Sequence, residues 1–267
     1  MAPFTFSAGR APLLVSIPHM GTHVPDDVAR RLTPAALALP DTDWHLDRLY
    51  DFLEALGASV LAATHSRYVV DLNRPPDDAS LYPGQDVTGL VPLDTFARAP
   101  LYAGPPPDAA EIAARRDRYW RPYHERLASE LARIKAAHGY ALLWDAHSIA
   151  SEVPRFFAGR LPDFNIGTGG GTAADPALAD ALLATVQPAP GYTAVLDGRF
   201  KGGYITRRYG DPANRVHAVQ LELAQATYMD ERPPFAFRED LAGRVRPYLR
   251  RMLERMLAWA RARYASD

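Results

Sequence analysis

Three apolar runs in this chain each stop at a residue able to bind a metal or carry a proton, and they constrain the fold most. They are Pro12-Leu-Leu-Val-Ser-Ile-Pro-His19, Tyr140-Ala-Leu-Leu-Trp-Asp-Ala-His147 and Val216-His-Ala-Val-Gln-Leu-Glu222. Apolar runs of this length, bounded by turn residues, are candidate buried strands. In an open α/β sheet, ligands bind in the crevice outside the carboxyl ends of the strands. His19, His147 and Glu222, though far apart in sequence, can then meet at one rim. Such a rim suits a metal-dependent hydrolase.

The rest of the chain supplies helices to cover such a sheet. Pro18-His19-Met20-Gly21 predicts a turn after the first strand, and Pro25-Asp26-Asp27 opens a short helix. Asp41-Thr42-Asp43 offers N-cap residues for a helix carrying Trp44, Leu46, Leu49, Tyr50, Leu53 and Leu56, ended by Gly57. Two more strands are expected at 58–62 and 68–72. A long helix is expected at 108–137, kinked at Pro122 because proline lacks a backbone donor. Strand 140–146 leads into an irregular, glycine-rich stretch at 148–172. A helix at 175–186, strands at 192–196 and 216–223, and an amphipathic helix over 237–264 complete the pattern. Strands alternating with helices predict a three-layer α/β/α architecture. Residues 75–107, rich in proline and glycine, read either as a functional lid or as a long surface connection.

Composition narrows the chemistry. The chain has no cysteine, which excludes thiolate zinc sites and a cysteine nucleophile, so a metal must use nitrogen and oxygen ligands. A formal charge of -1 gives no global field for nucleic acid or an anionic membrane. No apolar run reaches membrane-spanning length and the first residues lack a signal-peptide pattern, so a cytoplasmic location is expected. A monomer or small homo-oligomer is the expected state.

His23 follows His19 by four residues, but Gly21 and Pro25 argue against the helix that a His-x3-His zinc pair needs. Asp145 and His147 point to one side of their strand, so the carboxylate can orient the imidazole. A third ligand has to come from the acids, and Asp41, Asp43, His45 and Asp47 are the candidates, with helix capping as the alternative for the first two. Glu222 sits among apolar residues, where a raised pKa would suit a general base. Its bland alternative is a buried ion pair with an arginine. Arg67, Arg74 and Arg207 offer planar guanidinium groups for carboxylates. Ile166-Gly-Thr-Gly-Gly-Gly-Thr-Ala fails the dinucleotide and P-loop patterns and reads as a loop near the site.

The order of Ser16-Ile-Pro-His19-Met-Gly21, Asp41-Thr-Asp43-Trp-His-Leu-Asp-Arg-Leu-Tyr50, Ser66-Arg-Tyr-Val-Val-Asp-Leu-Asn-Arg-Pro75 and Asp145-Ala-His147-Ser is specific. So are Gly198-Arg-Phe-Lys-Gly-Gly-Tyr-Ile-Thr-Arg207 and His217-Ala-Val-Gln-Leu-Glu222-Leu-Ala-Gln225. The chain resembles the N-formylglutamate amidohydrolase family, deformylases of histidine degradation, over nearly its whole length, which implies one domain across 1–267. That family is distantly similar to zinc carboxypeptidases and aspartoacylases, which implies a mixed, mostly parallel central sheet between helices. The resemblance implies hydrolysis of N-formyl-L-glutamate, one divalent metal (zinc, with cobalt, iron or manganese as alternatives) and a small dicarboxylate substrate. It implies His19 and His147 as ligands, Glu222 as catalytic base, and Asn73-Arg74 on a substrate carboxylate. Those relatives carry the acidic ligand three residues after the first histidine, where this chain has Thr22, so Asp43 is assigned that role. Arg67 is assigned to the oxyanion and Arg207 to the second carboxylate. A related amidohydrolase for another N-acyl amino acid, or an inactive binding protein on the same scaffold, are the competing readings.

Overall fold

The computed structural model describes residues 1–82 and 84–264. Its strands are β1 (Phe4–Ser7), β2 (Leu13–Ile17), β3 (Ser59–Ala63), β4 (Ala141–Ile149), β5 (Phe164–Gly167), β6 (Ala194–Leu196) and β7 (Val216–Ala224). They form one sheet in the order β1-β3-β2-β4-β7-β5-β6. The pairs β3/β2, β2/β4, β4/β7 and β5/β6 are parallel, while β1/β3 and β5/β7 are antiparallel. This is the mixed, mostly parallel sheet that the sequence implied.

The helices are α1 (Asp26–Ala29), α2 (Pro34–Leu37), α3 (Leu46–Leu49), α4 (Ala109–Arg115), α5 (Arg121–His138), α6 (Pro176–Val186), α7 (Tyr204–Tyr209) and α8 (Glu239–Tyr264). Alternation along the strands divides them between two faces. Leu13, Val15, Leu142, Trp144, Val219 and Leu221 pack with residues of α3, α6 and α8. Leu14, Ala141, Leu143 and Ala218 pack with Tyr123, Leu127, Leu131 and Ile134 of α5 and with Ile205 of α7. By the same alternation Ser16, Asp145, His147, Gln220 and Glu222 fall on the α5 and α7 side, at its carboxyl end. The chain order leaves β2 for β3 on one flank and later fills β4 on the other, so the crevice beyond β2 and β4 is a topological switch point.

Several elements depart from the sequence expectation. Residues 68–72 are buried but form no strand. Val69 N–H bonds to Ser66 O at 2.9 Å and Asp71 N–H to Leu90 O at 2.7 Å, while the Val69 carbonyl accepts from Arg115 at 3.2 Å. The segment thus satisfies its backbone without a sheet partner. The helix expected over 44–56 shrinks to Leu46–Leu49, because His45 before it adopts φ 60° and the following residues run as turns. The irregular stretch 148–172 contains β5, antiparallel to β7, and the chain starts with the unforeseen edge strand β1. Helix 108–137 appears as α4 and α5 joined by a π-helical turn at Arg116–Trp120, directly before Pro122. The widened turn accommodates the missing proline donor.

Candidate metal centre and active site

His19 leaves the end of β2 on a turn that Gly21 makes possible. A Cβ on Gly21 would lie 2.3 Å from the His65 carbonyl oxygen, so only glycine allows the turn to press against residues 64–65. The turn at Asp41–Asp43 is tied to it by Asp43 N–H donating to His19 O at 3.1 Å. Asp43 thereby reaches the sheet rim. Its Oδ2 lies 3.2 Å from His147 Nδ1 and 3.9 Å from His19 Nδ1, and accepts Ser148 N–H at 3.0 Å.

The other nitrogen of each imidazole is held by a further buried aspartate. His19 Nε2 pairs with Asp71 Oδ1 at 2.7 Å, and His147 Nε2 with Asp145 Oδ2 at 3.1 Å. Carboxylates on the far nitrogen fix the tautomer and direct the near nitrogen at a cation. His19, Asp43 and His147 each offer one ligand atom within 4.8 Å of the others. His19 Nδ1 is buried and has no hydrogen-bond partner among the described residues, which fits a metal ligand. All donors are nitrogen and oxygen, as zinc and related divalent ions accept.

Charge is concentrated at the same place. Asp43, Asp71 and Asp145 are buried at the ligand residues, and one buried arginine, Arg67, faces Asp43 and Asp71. Burial pulls the His147 pKa down, but Asp145 and Asp43 outweigh it and hold it well above the usual histidine value. His19 goes the other way, lowered by burial and by Arg67. Glu222 faces His147 in the register of β4 and β7. Burial drives its pKa up to about 8, with Asp43 adding to the rise and His147 opposing it. It forms no ion pair among the described residues, and Gln220 Nε2 lies 3.4 Å from its Oε2. One cavity is lined by His19, His147, Glu222, Arg67, Asn73 and Arg74 together with Arg199 and Tyr82.

The N-formylglutamate amidohydrolase family model matches residues 11–229. The chain belongs to that family. It is 58% identical over 262 residues to an N-formylglutamate deformylase of Pseudomonas aeruginosa, covering 98% of each chain. It is 53% identical to another from Pseudomonas putida, covering 97% of each. A crystal structure of N-formylglutamate amidohydrolase from Ralstonia eutropha matches with a TM-score of 0.84 at 28% identity, covering 98% of this chain and 99% of that one.

In this member of the family, the candidate residues near 41–47 separate by their partners. Asp41 accepts from Tyr68 Oη at 2.6 Å and from Phe96 N–H at 2.8 Å, so it braces the wall, and it caps no helix. His45 Nε2 bonds to Phe235 O at 2.7 Å, Asp47 is exposed, and His23 stacks edge-on with His65. Arg67 donates to Asp71 Oδ2 at 2.7 Å, and its buried Nε has no partner among the described residues. Asn73 is on the cavity wall, but its amide nitrogen lies 3.0 Å from His147 Nε2 and its oxygen accepts Ile205 N–H at 2.8 Å. Arg207 is not a wall residue. Its Nε donates to Gly202 O at 2.9 Å and its guanidinium lies 5.0 Å from the Tyr82 ring centre.

Sequence reasoning missed Asp71, Gln220 and Arg199. Asp71 carried a signal, a carboxylate inside Val69-Val70-Asp71-Leu72 that burial would force to find partners. Gln220 accepts Gly203 N–H at 2.7 Å, and a Cβ on Gly203 would lie 2.4 Å from Asn73 Nδ2. The glycine run holds no phosphate pattern. Its Thr168 and Gly170 amides point at the Asp197 carboxylate, at 2.8 and 3.3 Å. The 75–107 stretch contributes Tyr82, Asp86, Val87 and Phe96 to the cavity, and Arg155 ties it down through Asp86 and Asp94 at 3.0 and 2.7 Å.

Proposed function

We propose that this protein hydrolyses N-formyl-L-glutamate to formate and L-glutamate with one divalent metal ion, zinc in the first instance, held by His19, Asp43 and His147. The observation that carries the reading is the convergence of those three ligand atoms beside Glu222 in a cavity walled by arginines. When bound, the metal supplies a Lewis acid that polarises the formyl carbonyl and acidifies water at neutral pH. Glu222 accepts a proton from the attacking water, whose oxygen adds to the formyl carbon. The C–N bond then breaks as Glu222 delivers that proton to the amine nitrogen. Arg67, whose guanidinium lines the cavity, donates to the oxygen on which negative charge develops. Arg74 takes one substrate carboxylate, and Asn73 beside it anchors the start of α7 by accepting the Ile205 N–H. In this reading the reaction closes histidine degradation, as the family resemblance implies, and takes place in the cytoplasm. Among the described residues no helix is long and apolar enough to cross a membrane.

The test combines elemental analysis of the purified protein with formate release from N-formylglutamate, before and after chelation. Bound metal and chelator-sensitive, metal-restored turnover are expected. Undiminished turnover in fully metal-free protein would refute metal dependence. Faster formate release from N-formylaspartate, or faster acetate release from N-acetylglutamate, would refute the substrate.

A further inference from the structure

Three arginines line the cavity, and their charges are not equally satisfied. Arg67 is neutralised by Asp71. Arg74 makes no ion pair among the described residues. Its donors go to Thr88 O at 2.7 Å, Thr88 Oγ1 at 3.1 Å and Asn73 O at 3.2 Å. Arg199 makes none either. Its Nε donates to the Phe156 carbonyl at 2.6 Å, and its guanidinium lies 5.3–5.8 Å from the ring centres of Phe200, Tyr82 and Phe156. The acid on that wall, Asp86, is taken up by Arg155 and Arg98.

Aromatic rings around a guanidinium fix its plane, and beyond the Nε bond to Phe156 and a long Nη2 contact to the Asp86 carbonyl at 3.5 Å, its remaining in-plane N–H groups are left for a carboxylate. Arg199 is partly buried, and burial followed by the charge of Arg74 pushes its pKa below the usual arginine value. Two guanidinium groups that repel each other in one cavity, each without a counter-ion, suit a ligand carrying two negative charges. We propose, on the deformylase reading, that Arg199 is a specificity-determining residue that binds the second carboxylate of the dicarboxylate substrate, with Arg74 on the first. Arg207 then acts one layer out, packing on Tyr82.

Two measurements test this on the zinc-loaded protein, with Arg199→Met and Arg199→Lys beside the parent chain. The first is calorimetric binding of glutarate, which needs no turnover. Truncating one partner of a charged hydrogen-bonded pair weakens binding roughly 30–1000-fold, and that loss is expected for Arg199→Met, with partial recovery in Arg199→Lys. The second compares formate release from N-formylglutamate with release from its two mono-amides, N-formylglutamine and N-formylisoglutamine. Arg199→Met should lose most of its kcat/KM on N-formylglutamate but little on the mono-amide that lacks the carboxylate Arg199 holds. Unchanged glutarate affinity, or an equal fall on all three substrates, would overturn the assignment. A parent protein that binds glutarate through Arg199 yet releases no formate would instead sink the deformylase reading and leave the subsite standing.

Discussion

Asp43 Oδ2 contacts His147 Nδ1, accepts the Ser148 amide and faces His19 Nδ1 at 3.9 Å, so one carboxylate lies between the two imidazoles. Asp43→Ala therefore should abolish stoichiometric metal binding while Asp41→Ala, which removes a partner of Tyr68 and Phe96, leaves it intact. Elemental analysis of both variants decides, and full metal in Asp43→Ala would refute the ligand assignment. Glu222 lies in the same cavity without being one of the three converging ligands. Glu222→Gln should keep its metal and lose about 100–10,000-fold in kcat, the range that general acid–base catalysis contributes. Near-normal turnover in that variant would remove Glu222 from the proton pathway. The partners of the far nitrogens act through the ligands, so Asp71→Asn should weaken metal affinity about 10–100-fold, measured by competition with a chelating dye.

At the scale of elements, the sequence exposed what a continuous apolar run and the residues that follow it can reveal. Strands β2, β4 and β7 were legible from their largely apolar runs, but β4 and β7 continue past His147 and Glu222 to Ile149 and Ala224, so only β2 ends where its run does. Residues 68–72 were misread because a buried loop and a buried strand look alike when apolar. What separates them is a distant guanidinium. Arg115 of α4 is buried and donates to the carbonyl of Val69, to that of Tyr68 at 3.5 Å and to Tyr102 Oη at 2.9 Å, and it also pairs with Glu111. Likewise, Arg199 and Arg207 share one motif, and only their partners separate them: Arg199 lines the cavity, while Arg207 Nε donates to Gly202 O. Arg115→Met should cost about 2–3 kcal/mol in urea unfolding of metal-free protein, because a charged donor leaves and buried carbonyls lose a partner. The same segment carries Asp71, so metal affinity should fall with it. A variant as stable as the parent would show that Arg115 does not hold this loop.

Across the whole molecule, the site depends on α5, α7 and the 67–73 segment staying docked on one face of the sheet, and His124 joins all three. Its Nε2 lies 2.8 Å from the Leu72 carbonyl and must donate there, while Nδ1 accepts from Tyr209 Oη at 3.0 Å. Trp120 stacks on the ring at 3.8 Å. That arrangement uses the neutral imidazole. Burial lowers the His124 pKa to about 4, with the Leu72 bond only partly opposing it. An unfolded histidine titrates near about 6.5, so between these values the unfolded chain binds a proton that the folded chain does not. The stabilising contribution is therefore fully present above about pH 6.5 and disappears as pH falls toward 4, for a total of about 3 kcal/mol. His124→Gln keeps an amide donor for the Leu72 carbonyl and does not titrate. In urea unfolding with chelator present, the parent should lose about 2 kcal/mol more than His124→Gln between pH 7.5 and pH 5. Parallel pH profiles for the two proteins would mean that His124 keeps its proton affinity on folding, and the docking of α5 would then owe nothing to a neutral imidazole.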